Sequence, residues 1–583
     1  MNYHKCQGLI ASIILLFLSL VSFAQQPADN NKIFTKEDWD KLSQHEKDSI
    51  SNNIFQEYQK GIKATEKNQL TQADEIIARA IKNTSATKSL NFISYPKNKF
   101  SNDLTKFINL EEFDCERCTA LNLDSLFAQL SHLPKLKKLG LEGGKFKSIP
   151  NSIQKLKGLE ELDLKDNDFS ALPDSLVLLK NLKSLNLTHD AYLYDDDVYQ
   201  KLSSMNVEAL NFSAAGLLAM SDKVGLAKSL KKLDVSINDI KALPASFTQL
   251  QNLQQLNLSE NQNLDINQAV SQLIQLPGIT GLSLSECNID NLPLDLGKLS
   301  KLTSLNLNGN RLTALPLTFA DLTNLEHLDL GYIEMGTRMN KLTDLGPNFG
   351  QLKKLNYLDL AGNMLATLPA DFGSLSSLTY LNLSLNKLTG FPVQVTQLKN
   401  LETLNLSLND INNIPDEIGG LGKLQVLHID GNFFNHPDKK IKQLPAAICG
   451  LKDLKTLTLK DNVIEKLPGC FGDLAQLEKL DLRDNLIDTF PASFTRLKNL
   501  NWLDLKANDF SALPDDLINL ASLKHLNVSM NVKMDFEAEK QKFMKMQQLQ
   551  FLDLSYNNIT KEQITPLREA LPNCKVANWD YVK

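Results

Sequence analysis

A repeating frame of leucines and asparagines runs through most of this chain of 583 residues. The frame reads LxxLxLxxNxL and is most often followed by a Leu-Pro step. It returns nineteen times between Leu110 and Ile559, usually 23 residues after the preceding copy. One regular copy places Leu404 and Leu406 before Asn409. A period of roughly 20 to 30 residues indicates a solenoid, in which each repeat packs against its neighbours.

The spacing inside the frame predicts the structure of one repeat. Its x-L-x-L-x segment alternates with a period of two, which predicts a short strand with one buried face. One repeat cannot bury its own leucines, so the copies must stack, and each buried Leu contributes about 1.5–3 kcal/mol relative to exposure. The Leu-Pro step removes a backbone donor and favours an extended or turn path on the return. The sequence therefore predicts an α/β repeat solenoid with a parallel sheet on its concave face.

The Asn position of the frame, here called the ladder position, turns into the core, where an amide can bond unpaired main-chain groups. It is filled by Asn167, Asn238, Asn261, Asn310, Asn363, Asn386, Asn409, Asn432, Asn462, Asn485, Asn508, Asn531 and Asn557. In the same register we find Cys118, Gly144, Asp190, Ala215, Cys287 and Ile333. This pattern resembles the leucine-rich repeat family, in its 23-residue leucine-proline type, and is similar to plant intracellular Ras-group and Ras-pathway scaffold members. The resemblance covers most of the chain and implies a horseshoe-shaped fold without specifying a function.

The first residues have the pattern of an export signal. Residues 1–24 place Lys5 before an apolar run that ends in small residues, which predicts a signal peptide cleaved after Ala24. No second apolar segment of about 18 residues follows, so no membrane span is expected in the mature chain. The sequence predicts an exported bacterial protein, periplasmic or extracellular, and a monomer.

The remaining boundaries follow from changes in periodicity. Residues 25–35 are predicted to be a polar linker, and residues 36–84 a helical cap with loose tetratricopeptide-like spacing. Such a cap would cover the open end of the solenoid, where strand hydrogen-bonding groups are otherwise exposed. Repeats are predicted over residues 85–560, beginning with a degenerate copy, and a C-terminal cap over residues 561–583.

Composition and motifs exclude several classes of function. With 68 acidic and 62 basic residues and no block of like charge, neither nucleic acid nor an anionic membrane is an expected partner. No His has a Ser or Cys partner whose proximity the sequence can argue, so no catalytic residue, metal or cofactor is predicted. Asp or Asn fills the position between the two strand leucines in most repeats, as at Asp163, Asp359 and Asp504. Because this column runs the whole length, we interpret it as structural rather than as a calcium or acid–base site.

Two pairs of cysteines need an interpretation. Cys115 and Cys118 form a CxxC, but both occupy inward-facing positions and two further ligands are absent, so we interpret them as buried thiols rather than a metal or redox pair. Cys449 and Cys470 lie on the return segments of adjacent repeats and are candidates for a disulfide in an oxidising compartment.

Differences between repeats point to a binding site. The exposed strand position just before the second leucine is aromatic or His in two consecutive trios, formed by His327, Tyr357 and Tyr380, and by Trp502, His525 and Phe551. Equivalent side chains of adjacent repeats stand about 5 Å apart, so each trio should form a ridge. The alternative interpretation is that these rings only pack against one another.

Two insertions lie on either side of the first trio. The intervals from Ile333 to Asn363 and from Asn432 to Asn462 are each seven residues too long, which places the excess after the ladder position, in Glu334–Lys341 and Asn435–Lys442. Both insertions are basic, through Arg338, Lys341, Lys439, Lys440 and Lys442. Long loops of a solenoid often carry function. We therefore predict a ligand site with the first trio, Val426 and His428 as its floor and the basic loops as its rim.

Three classes of function remain open from the sequence. The favoured one is a non-enzymatic recognition or scaffold protein that binds another protein or a surface polymer through its concave face. The alternatives are a targeting subunit or effector of an enzyme, and a structural or adhesive component of the cell envelope. No long segment outside the repeats is present to hold a catalytic domain.

Overall fold

One parallel sheet organises the whole molecule. The computed structural model describes residue 76, residues 80–190, residue 193, and residues 195–332, 338–431 and 440–579. In this part of the chain each strand pairs with the next one along the sequence, always in parallel. The strands, β1 to β21, are Ser89–Ile93, Glu112–Glu116, Lys138–Gly140, Glu161–Asp163, Ser184–Asn186, Ala209–Asn211, Lys232–Asp234, Gln255–Asn257, Gly281–Ser283, Ser304–Asn306, His327–Asp329, Tyr357–Asp359, Tyr380–Asn382, Thr403–Asn405, Val426–His428, Thr456–Thr458, Lys479–Asp481, Trp502–Asp504, His525–Asn527, Phe551–Asp553 and Lys575–Ala577.

The register of the sheet keeps equivalent residues of the frame side by side. Leu358 of β12, for example, pairs with Leu328 on one side and Leu381 on the other, and all three are fully buried. The strand residues before and after each such leucine face the concave surface. Strand β1 precedes the first regular copy of the frame, and β21 follows the last one. The predicted α/β repeat solenoid is therefore confirmed.

The ladder position joins neighbouring repeats through buried amide groups. The Asn363 amide nitrogen donates to the backbone oxygens of Leu330 and Leu360, at 3.0 and 3.1 Å, and its oxygen accepts from the Leu342 N–H. Each bond to a preceding repeat satisfies a carbonyl group that the short strand leaves unpaired. The described ladder asparagines therefore connect a repeat to the one before it.

The return path on the convex side consists of short 3₁₀ helices. In most of them a Pro in extended conformation precedes the first turn and the third residue is buried, as with Pro316 and Phe319. These helices are Asn102–Lys106, Asn151–Lys155, Asp174–Leu178, Asp222–Leu226, Ala245–Gln249, Leu294–Lys298, Leu317–Asp321, Phe349–Gln351, Ala370–Ser374, Val393–Gln397, Asp416–Gly420, Ala446–Gly450, Phe471–Asp473, Ala492–Arg496 and Asp515–Asn519. Buried phenylalanines of adjacent return segments stack, with ring centroids 6.5 Å apart for Phe319 and Phe349.

Some repeats return through an α-helix instead. These helices, α1 to α5, are Leu123–Leu130, Asp195–Leu202, Ile266–Leu273, Phe536–Lys545 and Lys561–Ala570. At the start of α1, α3 and α4 the Leu-Pro step is replaced by Asn122, Asp265 and Asp535, whose side chains accept backbone N–H groups of the first turn. A polar N-cap stabilises a helix start, so these repeats complete α-helical turns where the others stop at 3₁₀ turns.

The structure corrects the position of the first insertion. Asn340, not Ile333, fills the ladder position: its amide nitrogen donates to the Leu307 and Leu330 oxygens, and its oxygen accepts from the Leu312 N–H, each at 3.0 Å. The extra residues therefore lie before the ladder position, between the strand and Asn340, rather than after it. Counting in steps of 23 from one side placed the excess on the wrong side of the asparagine.

The N-terminal predictions fall mainly outside the described residues. The predicted signal peptide (1–24) and linker (25–35) lie wholly outside them, as does most of the predicted cap. Within the segment 36–84, Ile76, Ala80 and Ile81 are helical and pack against the solenoid core. The described residues contain no helix long and apolar enough to cross a membrane.

The cysteines differ in part from the sequence interpretation. Cys115 and Cys118 form a disulfide, with Cα atoms 5.7 Å apart, so their interpretation as free thiols is wrong. The left-handed conformation of Arg117 (φ 55°) makes the turn that brings the two side chains together. Cys449 and Cys470, the pair considered above, also form a disulfide across adjacent return segments. Cys287 is a buried free thiol.

Candidate functional site

The first aromatic ridge, formed by His327, Tyr357 and Tyr380, is a continuous stack on the concave face. The three residues pair directly in the sheet register. Ring centroids are 4.0 Å apart between His327 and Tyr357 and 4.4 Å apart between the two tyrosines, with planes within 11° of parallel. All three side chains are half-buried. The parallel sheet thus fixes three rings in one row that solvent can reach.

The ridge is uncharged near neutral pH. Burial lowers the pKa of the His327 imidazole and raises the pKa values of the Tyr357 and Tyr380 hydroxyls. Burial also raises the pKa of the neighbouring Asp359 carboxyl to about 6. The ridge is therefore suited to aromatic or apolar contacts rather than to a strongly charged group.

The other predicted floor residues lie further along the same face. Val426 and His428 belong to β15, and Thr403 of β14 separates Val426 from Tyr380 in the register. The His428 Nδ1 atom lies 2.8 Å from the Thr458 hydroxyl, and burial lowers the imidazole pKa. These two residues extend the floor, but they do not join the ring stack.

The structure describes four of the five predicted basic rim residues. Arg338 reaches back towards the N-terminal side, where its guanidinium donates to the Gln262 side chain at 3.1 Å. Lys341 and Lys442 are exposed and Lys440 is half-buried. Lys439 and Asn432 lie outside the described residues. The structure thus places Arg338 over repeats that precede the ridge.

Some residues beside the ridge were not found by sequence reasoning. Leu385 and Leu408 occupy the position just before the ladder asparagine, with φ values of 54° and 58°, and are half-exposed. At the same position Gly362 (φ 69°) leaves room for Tyr332, whose ring carbon lies 3.0 Å from where a Cβ would stand. An apolar or glycine residue directly before the ladder asparagine is the signal that would have identified them.

The second aromatic ridge, formed by Trp502, His525 and Phe551, also stacks. Its ring centroids are 5.0 and 4.6 Å apart, with planes within 14° of parallel. The Lys479 ammonium group lies 4.7 Å from the Trp502 ring centroid and covers the first face of this stack. Lys575 is the register neighbour of Phe551 at the other end. The two ridges therefore differ: a cation already occupies one end of the second.

The column of Asp and Asn residues on the concave face has a structural role. The Asp359 carboxylate accepts the Ala361 N–H at 2.8 Å and the Asn382 amide N–H at 3.0 Å. Asp163 makes equivalent bonds to Lys165 and Asn186. Each side chain therefore closes the turn after its own strand and contacts the next repeat. Within the described part of the chain, no group of three or more His, Cys, Asp or Glu residues is arranged to hold a metal.

An open groove adjoins the first ridge on its N-terminal side. This cavity of about 700 Å³ runs across strands β4 to β11 and ends at His327. Its exposed side chains nearest the ridge are small or amide, namely Gln255, Asn257, Gly281, Ser283, Ser304 and Asn306, with the buried Leu256 and Leu282 beneath them. The ridge therefore forms the end wall of an open trough.

Sequence and structure comparisons agree with this architecture. A model described as a leucine-rich repeat region matches residues 86–212 and 445–577, and leucine-rich repeat models match residues 277–332, 338–388 and 400–421. No curated protein sequence matches the chain. Solenoid fold, ladder and repeat models together define a repeat protein with an open concave sheet. The chain belongs to the leucine-rich repeat family.

Several solved structures are similar to this chain. A leucine-rich repeat protein of Leptospira interrogans is 26% identical, with a TM-score of 0.43, over 86% of this chain and 98% of that one. A TDR receptor is 23% identical, with a TM-score of 0.54, over 86% of this chain and 87% of that one. The plant peptide hormone receptor RGFR1, solved in complex with RGF2, is 23% identical, with a TM-score of 0.52, over 85% and 78% of the two chains.

Proposed function

We propose that this protein is a non-enzymatic recognition or scaffold protein, exported from the cytosol, which binds a protein or surface polymer through its concave face at the first aromatic ridge. The observation that carries the proposal is the stack of His327, Tyr357 and Tyr380, which is half-buried and aligned within 11°. Rigid aromatic side chains on a fixed scaffold lose little conformational freedom when they bind, and they dominate the energetics of many interfaces.

Export is supported by the leader-like residues 1–24 and by two disulfides, which persist mainly in oxidising compartments. Binding is supported by family membership, since leucine-rich repeat proteins commonly act in recognition, and by the peptide ligand of the RGFR1 structure. The alternative of an enzyme-targeting subunit has no specific observation in its favour.

A capture experiment tests the proposal. Immobilised protein would be incubated with envelope extract of the source organism, and captured components compared between wild type and a Tyr357→Ala/Tyr380→Ala double variant. We expect loss of at least one component, because truncation of central aromatic residues typically costs about 2 kcal/mol or more of binding free energy. The matched control is Glu112→Ala/Lys138→Ala, which changes the same strand position on two other adjacent strands. Identical captured sets from wild type and the ridge variant would refute the proposal.

A further inference from the structure

We propose that the groove beside the first aromatic ridge binds an uncharged polysaccharide chain, with one sugar ring stacked on the outward face of His327. This inference rests on the proposed function and specifies the ligand class of the same site. It is carried by three features of the groove: an open ring face, a stretch of lining beside that ring without ionisable side chains, and a hydrogen-bond donor that the described residues leave unused. The ionisable residues of the groove lie further away, on β4 and β7.

The open ring face lies at the N-terminal end of the first ridge. Both faces of Tyr357 are covered, by His327 and by Tyr380. Within the described part of the chain, His327 stacks on Tyr357 alone, and its register neighbour on the groove side is the small Ser304. The face of an aromatic ring carries partial negative charge, which suits the polarised C–H groups of a sugar ring. In the second ridge the corresponding face is covered by Lys479.

The lining of the groove next to His327 carries no ionisable side chain. Strands β8, β9 and β10 contribute amides, hydroxyls and a glycine to its exposed surface, and Leu256 and Leu282 lie buried beneath them. A charged polymer would find no countercharge there. An apolar peptide would cover these polar groups without bonding them, which is unfavourable. Sugar hydroxyls both donate and accept hydrogen bonds and therefore match this lining.

One amide group beside His327 has a hydrogen-bond donor that no described residue uses. The Asn257 amide nitrogen donates to Asp234 of the preceding repeat, at 2.9 Å. The register neighbour of Asn306 in the preceding repeat is Ser283, whereas that of Asn257 is an aspartate. Its oxygen accepts the Asn308 N–H at 3.0 Å, whereas its amide nitrogen has no bonded acceptor among the described residues. This free donor lies on the strand next to His327 and is available to a ligand hydroxyl.

Native affinity electrophoresis provides the test. The purified protein would be run in gels that contain the neutral polysaccharides dextran, laminarin or mannan, or the anionic polymer alginate. We expect retardation in at least one neutral gel and none in alginate. Gly281→Tyr should raise the dissociation constant about tenfold or more by filling the groove. A Cβ at Gly281 would stand 3.4 Å from the nearest Gln255 atom, so the fold can accept the substitution.

Two further variants complete the design. His327→Leu removes the ring face while keeping an apolar side chain, and it should weaken retardation as Gly281→Tyr does. Thr456→Tyr, at the same strand position outside the groove, should leave retardation unchanged. Retardation by no neutral polysaccharide, retardation only in alginate, or unchanged retardation of the His327→Leu variant would each overturn the inference. If the ridge double variant loses a captured protein while no neutral polysaccharide retards the wild type, the inference fails and the proposed function stands.

Discussion

Asn340 fills the ladder position of its repeat, although its spacing to the neighbouring ladder residues is irregular. It makes three buried hydrogen bonds, to Leu307, Leu330 and Leu312. Replacement by Ala leaves these main-chain groups unpaired, so we expect Asn340→Ala to lower the free energy of unfolding by about 3 kcal/mol. Urea denaturation measures the change. Lys341→Ala, at the exposed adjacent residue, should stay within about 0.5 kcal/mol. Equal effects of the two substitutions would contradict the assignment.

Asp190 is the acidic member of the ladder. It is fully buried, one carboxyl oxygen accepts the Asn167 N–H at 3.1 Å, and the other has no partner among the described residues. Burial raises the carboxyl pKa to about 8, so the folded protein holds a proton that the unfolded chain releases above its ordinary pKa of 3.8. This contribution to stability is complete below pH 3.8 and is lost as the pH rises to about 8.

Replacing Asp190 by Asn removes this titration and restores the usual ladder residue. We expect Asp190→Asn to be more stable than wild type at pH 8 by about 1–3 kcal/mol, with the gain shrinking as the pH falls towards 4. Urea midpoints at pH 4.5, 6 and 8 measure it. Asp488→Asn, at an exposed residue, is the control. A gain of Asp190→Asn that is constant with pH would show that the carboxyl is ionised when folded.

At the residue scale, alternation of leucines was sufficient to predict which side chains are buried. It was not sufficient at Asn340, because the frame gives the number of extra residues but not the side of the asparagine on which they lie. The Cys115–Cys118 bond was missed for a similar reason. It depends on the left-handed turn at Arg117, a conformation that recurs directly before the ladder position in other repeats. The frame shows this position, but the alternation of leucines does not reveal the backbone conformation there.

At the scale of elements, the disulfide between Cys449 and Cys470 connects the return segments of two adjacent repeats, 21 residues apart. We expect Cys449→Ala/Cys470→Ala to destabilise the protein by about 2–4 kcal/mol, because the cross-link restricts the unfolded chain. Hydrogen exchange should then increase mainly in these two repeats, since contacts in a solenoid are local. Cys574→Ala, at a partly exposed free thiol outside these repeats, is the control. Unchanged exchange around β16 and β17 would contradict the expectation.

The type of return segment was only partly predictable. The Leu-Pro step correctly indicated short turns, because a Pro cannot donate to a continuing helix. The α-helices α1, α3 and α4 were not singled out, although their capping residues Asn122, Asp265 and Asp535 are visible in the sequence. A polar residue in place of the proline, together with a longer repeat, is the combination that marks them.

At the scale of the whole molecule, the sheet register places residues from equivalent positions of successive repeats side by side in one row. This is why both aromatic trios could be predicted and why both stack in the structure. The difference between the two ridges, an open end in the first and a covered end in the second, could not be predicted from the sequence. That difference depends on which side chain covers each end of a stack, and on the direction in which Arg338 extends.

The longer repeat that ends at Asn340 has a practical consequence. Its seven additional residues lie between a strand and Asn340. The three hydrogen bonds of that asparagine remain intact, so the added length does not change the packing of the core there. The corresponding point of any regular repeat should therefore accept foreign peptides. A display scaffold could be built on this chain by grafting sequences at that junction, with each graft projecting from one edge of the array at a chosen multiple of the strand spacing.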